Sequence, residues 1–139
     1  EYLEETKEFA RKHGYTETLF GRRRHFPGIT SNAPFIRAQA ERMAINAPIQ
    51  GTAADVMRVA MNKVYQYLAS EDKLDDVRML LQVHDELVFE IKTDLVDKVV
   101  PKLMALMEGV LADKENQGVP IKVDVAVGPN WADLEDKKF

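Results

Sequence analysis

The segment Met79-Leu80-Leu81-Gln82-Val83-His84-Asp85-Glu86-Leu87-Val88-Phe89-Glu90 sets one imidazole and two adjacent carboxylates between two apolar, β-prone runs. His84 and Asp85 stand where a tight antiparallel hairpin would turn. Such a turn favours Asn-Gly or Asp-Gly, because its central residues take positive φ. His-Asp is a poor choice for stability, although both types enter the left-handed region more readily than most. A charged, suboptimal turn between apolar strands points to a tip selected for chemistry. The plain alternative is a solvated polar turn, and spacing alone leaves it open. The chemistry on offer is metal-assisted. Mg²⁺ takes near-octahedral oxygen, commonly one or two carboxylates with waters and substrate phosphates. Asp85 is the candidate ligand and Glu86 its neighbour; adjacent strand residues point to opposite faces, so the two need not share an ion. Two-metal phosphoryl transfer needs carboxylates from separate elements, with the ions ~4 Å apart. Asp55 falls on a helix, and Asp72, Asp75 and Asp76 fall in a loop, so the second carboxylate is expected from outside this chain.

The elements that must hold this tip follow from periodicity. Val77–Val83 and Glu86–Ile91 read as the two hairpin strands. Upstream, residues 1–13 read as the end of a charged helix closed by Gly14, and Tyr15–Leu19 and Arg23–Phe26 as short strands about Gly21. Asn32 is a candidate cap for a helix with Pro34 in its first turn, running to Ile45. Pro48 disfavours α geometry at Ala47 and predicts a break there. A second long helix is expected from Pro48 to Ala69, burying Ile49, Ala53, Val56, Met57, Ala60, Met61, Val64 and Leu68. Thr93 or Asp94 would cap the next helix, with Leu95, Val96, Val99, Val100, Leu103, Met104, Met107, Val110 and Leu111 on its buried face and Pro101 causing a kink or a late start. Ile121–Val127 alternates apolar and polar residues and reads as a last strand. The expected fold is α+β: one small antiparallel sheet, made of the hairpin and the C-terminal strand, packed against helices.

With 139 residues, 45% apolar and 30% charged, the chain suits one ordinary globular domain. It has no cysteine, which excludes disulfides, cysteine metal sites and a thiol nucleophile, and fits a cytoplasmic location. No apolar run approaches the ~18 residues of a membrane span, so no membrane partner is expected. The net charge of −4 is unevenly spread. Residues 1–70 hold 10 Lys and Arg against 7 Asp and Glu, and residues 71–139 hold 9 against 16. A basic half beside an acidic half suits a polyanion held next to metal-binding carboxylates, or is simply the charge of a solvated surface. Asp55 reads as a structural or surface residue, and Tyr65, Tyr67 and Trp131 as packing residues. The opening Glu1-Tyr2-Leu3-Glu4 reads as the interior of a helix, and so as a piece of something longer.

Four motifs in order resemble family A DNA polymerases, the DNA polymerase I type. Gly14-Tyr15-Thr16-Glu17-Thr18-Leu19-Phe20-Gly21-Arg22-Arg23-Arg24 is the first. Ala40-Glu41-Arg42-Met43-Ala44-Ile45-Asn46-Ala47-Pro48-Ile49-Gln50-Gly51-Thr52-Ala53-Ala54-Asp55 is the second. The hairpin Leu81–Glu90 is similar to that family's third polymerase motif, and Gly128-Pro129-Asn130-Trp131 to its C-terminal signature. The resemblance implies the C-terminal part of the polymerase domain over residues 1–139. About 1–47 would lead out of the fingers, about 48–131 would be palm, and about 132–139 a frayed tail or short extension. It implies that Asp85 binds catalytic Mg²⁺, that Glu86 supports it, and that His84 lies near the primer end. Arg42, Asn46 and Gln50 would touch the primer–template minor groove, and Arg22, Arg23 and Arg24 the nucleic-acid backbone. The implied partners are DNA primer–template, deoxynucleoside triphosphates and the remainder of the polymerase. The family's first palm motif and its nucleotide-binding fingers helix are absent. A non-catalytic module that keeps the palm's DNA surface is therefore a second reading.

Overall fold

The computed structural model describes residues 1–112, 116 and 118–139. They form two compact units, Glu1–Val56 and Met57–Phe139. The class is α+β, as expected.

In the first unit, helix α1 (Tyr2–His13) ends at Gly14, whose φ of 79° only glycine adopts without strain. The Gly14 N–H closes the helix on the Ala10 carbonyl at 2.8 Å. Its own carbonyl accepts the Phe26 N–H at 2.9 Å, which sets the register of the strands that follow. Strands β1 (Tyr15–Glu17) and β2 (Arg23–His25) pair antiparallel, Tyr15 opposite His25 and Glu17 opposite Arg23. His13 and His25, with no partner evident in the sequence, both lie near the Tyr15 ring, at 6.0 and 5.5 Å between centroids. The core joins Ala10, Phe26 and Ile29 to Ala40, Ala44 and Ala47. Those alanines belong to helix α2 (Pro34–Ser70); their small side chains let the neighbouring elements approach its backbone closely. Arg11 of α1 pairs with Glu41 of α2 at 2.6 Å. Pro34 opens α2 as expected, but the cap differs: the Ala33 carbonyl accepts the first helical bond from Arg37, and the Ser31 hydroxyl accepts the Ala33 N–H, not Asn32.

The break expected at Pro48 does not occur, and α2 runs through it as one 37-residue helix. Proline removes one bond, the one Ala44's carbonyl would accept. Packed stretches on both sides, Ala40–Ala47 and Ala60–Leu68, hold the helix across that gap. Ile49 and Ala53 are a further correction. They follow the apolar spacing yet face solvent, Ile49 with 61% of its surface exposed.

The second unit packs the C-terminal part of α2 against strands β3 (Val77–Val83) and β4 (Glu86–Ile91) and helix α3 (Val96–Glu108). Val64, Leu68, Val77, Val99 and Leu103 are its buried centre, with Tyr67, Met79, Phe89 and Ile91 around them. Tyr67 packs as expected, whereas Tyr65 and Trp131 are more than half exposed. A 3-10 turn, Thr93–Leu95, precedes α3 in place of a Thr93 or Asp94 side-chain cap, and α3 continues through Pro101. The Lys63 ammonium donates to the Gly109 carbonyl at 2.7 Å and so serves the end of α3.

The last strand is shorter than its pattern. Only Ala126–Val127 (β5) forms a ladder, and its partner is the tail, Glu135–Asp136 (β6), not the hairpin. The one sheet expected from the hairpin and the C-terminal strand is thus two, and with the β1–β2 pair the described residues form three separate two-stranded sheets. The tail is fixed by the Lys137–Asp97 ion pair at 2.5 Å and by the Lys137 N–H on the Val125 carbonyl at 2.8 Å. Ile121, Val123, Val125 and Val127 are half-buried while Lys122, Asp124 and Ala126 are exposed. The alternation therefore reports one-sided burial, which a ladder is not needed to produce.

Candidate functional site

The hairpin tip is built as its sequence requires. Val83 pairs with Glu86, leaving His84 and Asp85 as a two-residue turn. His84 carries a φ of 53°, a conformation that costs a non-glycine residue about 1–3 kcal/mol. Asp85 does not share it, so this is not the doubly left-handed turn that Asn-Gly would make. The Gln82 side-chain amide donates to the His84 carbonyl and ties the turn to its own strand. The base of the hairpin is closed by the Lys92–Asp76 ion pair and the Lys92 N–H on the Asp76 carbonyl at 3.0 Å. That carboxylate, first by its hydrogen bond and then by its charge, raises the Lys92 ammonium above its usual range. Between Met79 and Leu81 the ladder carries a bulge, and Leu80 has no partner residue.

His84, Asp85 and Glu86 are all exposed. An exposed carboxylate keeps its hydration and its lone pairs for an incoming cation. Among the described residues no three His, Asp or Glu side chains gather into a metal cluster. The tip therefore fits a Mg²⁺ ion that takes one or two protein carboxylates and draws its other ligands from water, substrate phosphates or another polypeptide segment. It does not fit an ion held wholly by the described residues.

The second group lies on α2. Arg42, Asn46 and Gln50 recur every four residues and are all exposed, so they form one polar stripe. Ile49 and Ala53 border it, also exposed. Ala40, Ala44 and Ala47 are buried.

The three arginines have three different surroundings. Arg23 donates to Glu17 at 2.5 Å and stacks over the Tyr15 ring at 4.5 Å. The hydrogen bond to Glu17, with the charges of Tyr15 and Glu17, raises its guanidinium further above an already high value. Arg24 lies over the Phe26 ring at 5.5 Å, and among the described residues no carboxylate pairs with it. Arg22 turns toward α2: its Nε donates to Asp55 at 2.8 Å and its Nη2 to the Gly51 carbonyl at 3.0 Å. Arg22, Arg24 and Gln50 meet, with Thr16, Thr18 and Gly51, around an open pocket of about 190 Å³.

Asp55 was expected to be a structural or helix-surface residue; with 7% of its surface exposed it is not on the surface. The signal that locates it is its register. Ala40, Ala44, Ala47, Gly51 and Asp55 continue one three-and-four spacing along α2, so the aspartate falls on the packed face and needs a cation. The partner is Arg22, which sequence alone groups with its two neighbours.

Residues 1–133 match the family model for DNA polymerase family A. DNA polymerase I of Rhizobium leguminosarum is 48% identical over 131 residues, 94% of this chain and 13% of that protein. The Deinococcus radiodurans DNA polymerase I is 46% identical over 136 residues, 96% of this chain and 13% of that protein. The thermostable DNA polymerase I of Thermus aquaticus is 42% identical over 135 residues, 97% of this chain and 15% of that protein. Among solved structures, the POL domain of Pol1 from M. smegmatis, in complex with DNA primer-template and dNTP, superposes with a TM-score of 0.76 at 41% identity, covering 80% of this chain and 19% of that one. The chain spans about one seventh of the length of these curated relatives.

Proposed function

Since this chain belongs to DNA polymerase family A, we propose that it forms the C-terminal palm part of a DNA-directed DNA polymerase, which adds deoxynucleotides to a primer 3′ end. In this reading residues 1–47 lead out of the fingers, 48–131 belong to the palm and 132–139 close it. The partners are DNA primer–template, deoxynucleoside triphosphates and the remainder of the polymerase polypeptide, in a cytoplasmic setting. No described helix is long and apolar enough to cross a membrane.

The observation that carries the reading is the hairpin tip, an exposed Asp85 set beside a left-handed His84. Asp85 would hold Mg²⁺, with Glu86 in support; the ion would supply charge neutralisation at the reacting phosphates. His84 would approach the primer terminus, held there by its turn. Arg42 and Gln50 can donate to purine N3 and pyrimidine O2, which lie at similar places in every correct pair, and Asn46 extends the same stripe. Donors in the minor groove check pair geometry without reading sequence. Arg23 and Arg24, on a basic strand edge, suit backbone phosphates.

The test is primer extension with Mg²⁺ by the chain alone and by the chain with a family A fragment ending just before Glu1. Extension only in the mixture, abolished by Asp85→Ala, is the expected result. Normal extension by the Asp85→Ala mixture would overturn the role given to Asp85. A second reading, a nucleic-acid-binding module without catalysis, is motivated by the basic first half of the chain, where residues 1–70 hold 10 Lys and Arg against 7 Asp and Glu. It predicts salt-dependent duplex binding with no extension in the assembled mixture.

A further inference from the structure

The β1–β2 loop is tied to α2 at the turn immediately after Gln50. The Arg22 guanidinium spans Asp55 and the Gly51 carbonyl with two hydrogen bonds, at 2.8 and 3.0 Å. The Leu19 N–H donates to the Thr52 hydroxyl at 2.9 Å, and the Arg22 N–H to the Thr18 hydroxyl at 3.1 Å. Gly51 makes the contact close: a Cβ there would lie 2.6 Å from Thr18 Cγ2. Asp55 is the buried end of the ion pair, its side chain 9% exposed against 48% for Arg22. A guanidinium that donates Nε and Nη2 inward commits its side-on fork to α2 and leaves only its end-on N–H groups toward solvent. Loss of Arg22 would leave the Asp55 carboxylate in a poorly solvated place, whereas loss of Asp55 would leave a half-exposed guanidinium that water can reach.

We infer that Arg22 is a positioning residue and not a phosphate contact: with Asp55 and Thr52 it clamps the β1–β2 loop onto α2 and thereby fixes the donor that Gln50 presents. The inference rests on the reading that Gln50 faces the minor groove. It divides the arginine triplet by role: Arg22 is tied to Asp55, Arg23 to Glu17, and Arg24 lies over Phe26 with no carboxylate paired to it among the described residues.

The test uses the full polymerase that contains this segment, with Arg22→Met, Asp55→Asn, Arg24→Ala, Gln50→Ala and the Arg22→Met/Gln50→Ala pair. Three quantities are measured: amide hydrogen exchange at Leu19 and Arg22, the ratio of matched to mismatched primer extension, and the salt dependence of primer–template affinity. Arg22→Met and Asp55→Asn are expected to speed exchange at both amides and to lower the extension ratio alike. The expected loss is about threefold to tenfold, the worth of one hydrogen bond. The double variant should be no worse than Gln50→Ala. The slope of log Kd on log salt should be unchanged by Arg22→Met and reduced by about 0.9 by Arg24→Ala. A slope reduced by Arg22→Met, with Asp55→Asn silent, would overturn the inference in favour of direct phosphate binding. If Gln50→Ala leaves the ratio unchanged, the minor-groove reading has failed by itself. Exchange then decides the clamp: faster exchange in both Arg22→Met and Asp55→Asn keeps it, and unchanged exchange removes it.

Discussion

Gly51→Ala sets two effects of opposite sign against each other. In an exposed helix interior, replacing glycine by alanine stabilises by about 1 kcal/mol. At Gly51 the added methyl would lie 2.6 Å from Thr18 Cγ2 and 3.3 Å from Arg22 Nη2. Carbon atoms rest about 3.5–4.0 Å apart, so the overlap with Thr18 is on the order of 1 Å. Overpacking of this kind costs about 1–3 kcal/mol. The packing term wins, and the net effect is a loss of up to about 2 kcal/mol. Urea unfolding is the assay. With a slope near 2 kcal/mol/M, a net loss of about 1 kcal/mol lowers the midpoint by about 0.5 M at constant slope. Thr18→Ser removes the obstructing methyl and keeps the hydroxyl that accepts the Arg22 N–H. In the Gly51→Ala background it should recover at least about 0.5 kcal/mol, the coupling expected of touching residues. A midpoint that rises with Gly51→Ala would refute the close approach of loop and helix, and with it the clamp.

Leu68, 1% exposed at the centre of the second unit, should cost about 2–5 kcal/mol as Leu68→Ala, read as a midpoint fall of more than about 1 M urea. His84→Gly removes a non-glycine side chain from a φ of 53° and should raise stability by up to about 1 kcal/mol after glycine's own entropic cost, while primer extension by the assembled polymerase falls. A loss of stability there would show that the tip is not strained. Asp85→Asn, on an exposed turn, should change stability by no more than about 0.5 kcal/mol, read from the urea midpoint, yet remove extension, separating chemistry from folding.

The hairpin and its two turn residues were legible because two β-prone runs flank one short polar step, while His-Asp departs from the usual turn pair and made the tip the candidate site. The Arg42, Asn46 and Gln50 stripe was legible from spacing, since its polar residues repeat at the helical period. Pro48 misled because local geometry was weighed without the packing that spans it, supplied by alanines that look featureless in sequence. Ile121–Val127 misled differently: its period reports which side is buried, whereas a ladder needs a partner of matching register, and that partner was a tail with no strand signal. The Arg22–Asp55 pair was hidden because three identical side chains in a row give no sign of which one turns inward; only the register of Asp55 on the alanine face carried a hint.

The bulge at Leu80 governs the parity of the hairpin. From the base upward, Val77 faces Ile91 and Met79 faces Phe89. Continued without interruption, that count would set Leu81 against Leu87 and Gln82 against Glu86, and the loop would hold three residues, Val83 among them. One unpaired residue shifts the count by one, so that Val83 meets Glu86 and the loop closes on His84 and Asp85 alone. An odd loop becomes an even one, and a valine is kept out of the acidic tip. The residue that decides which atoms stand at the end of this hairpin is a leucine several positions away that carries no chemistry of its own.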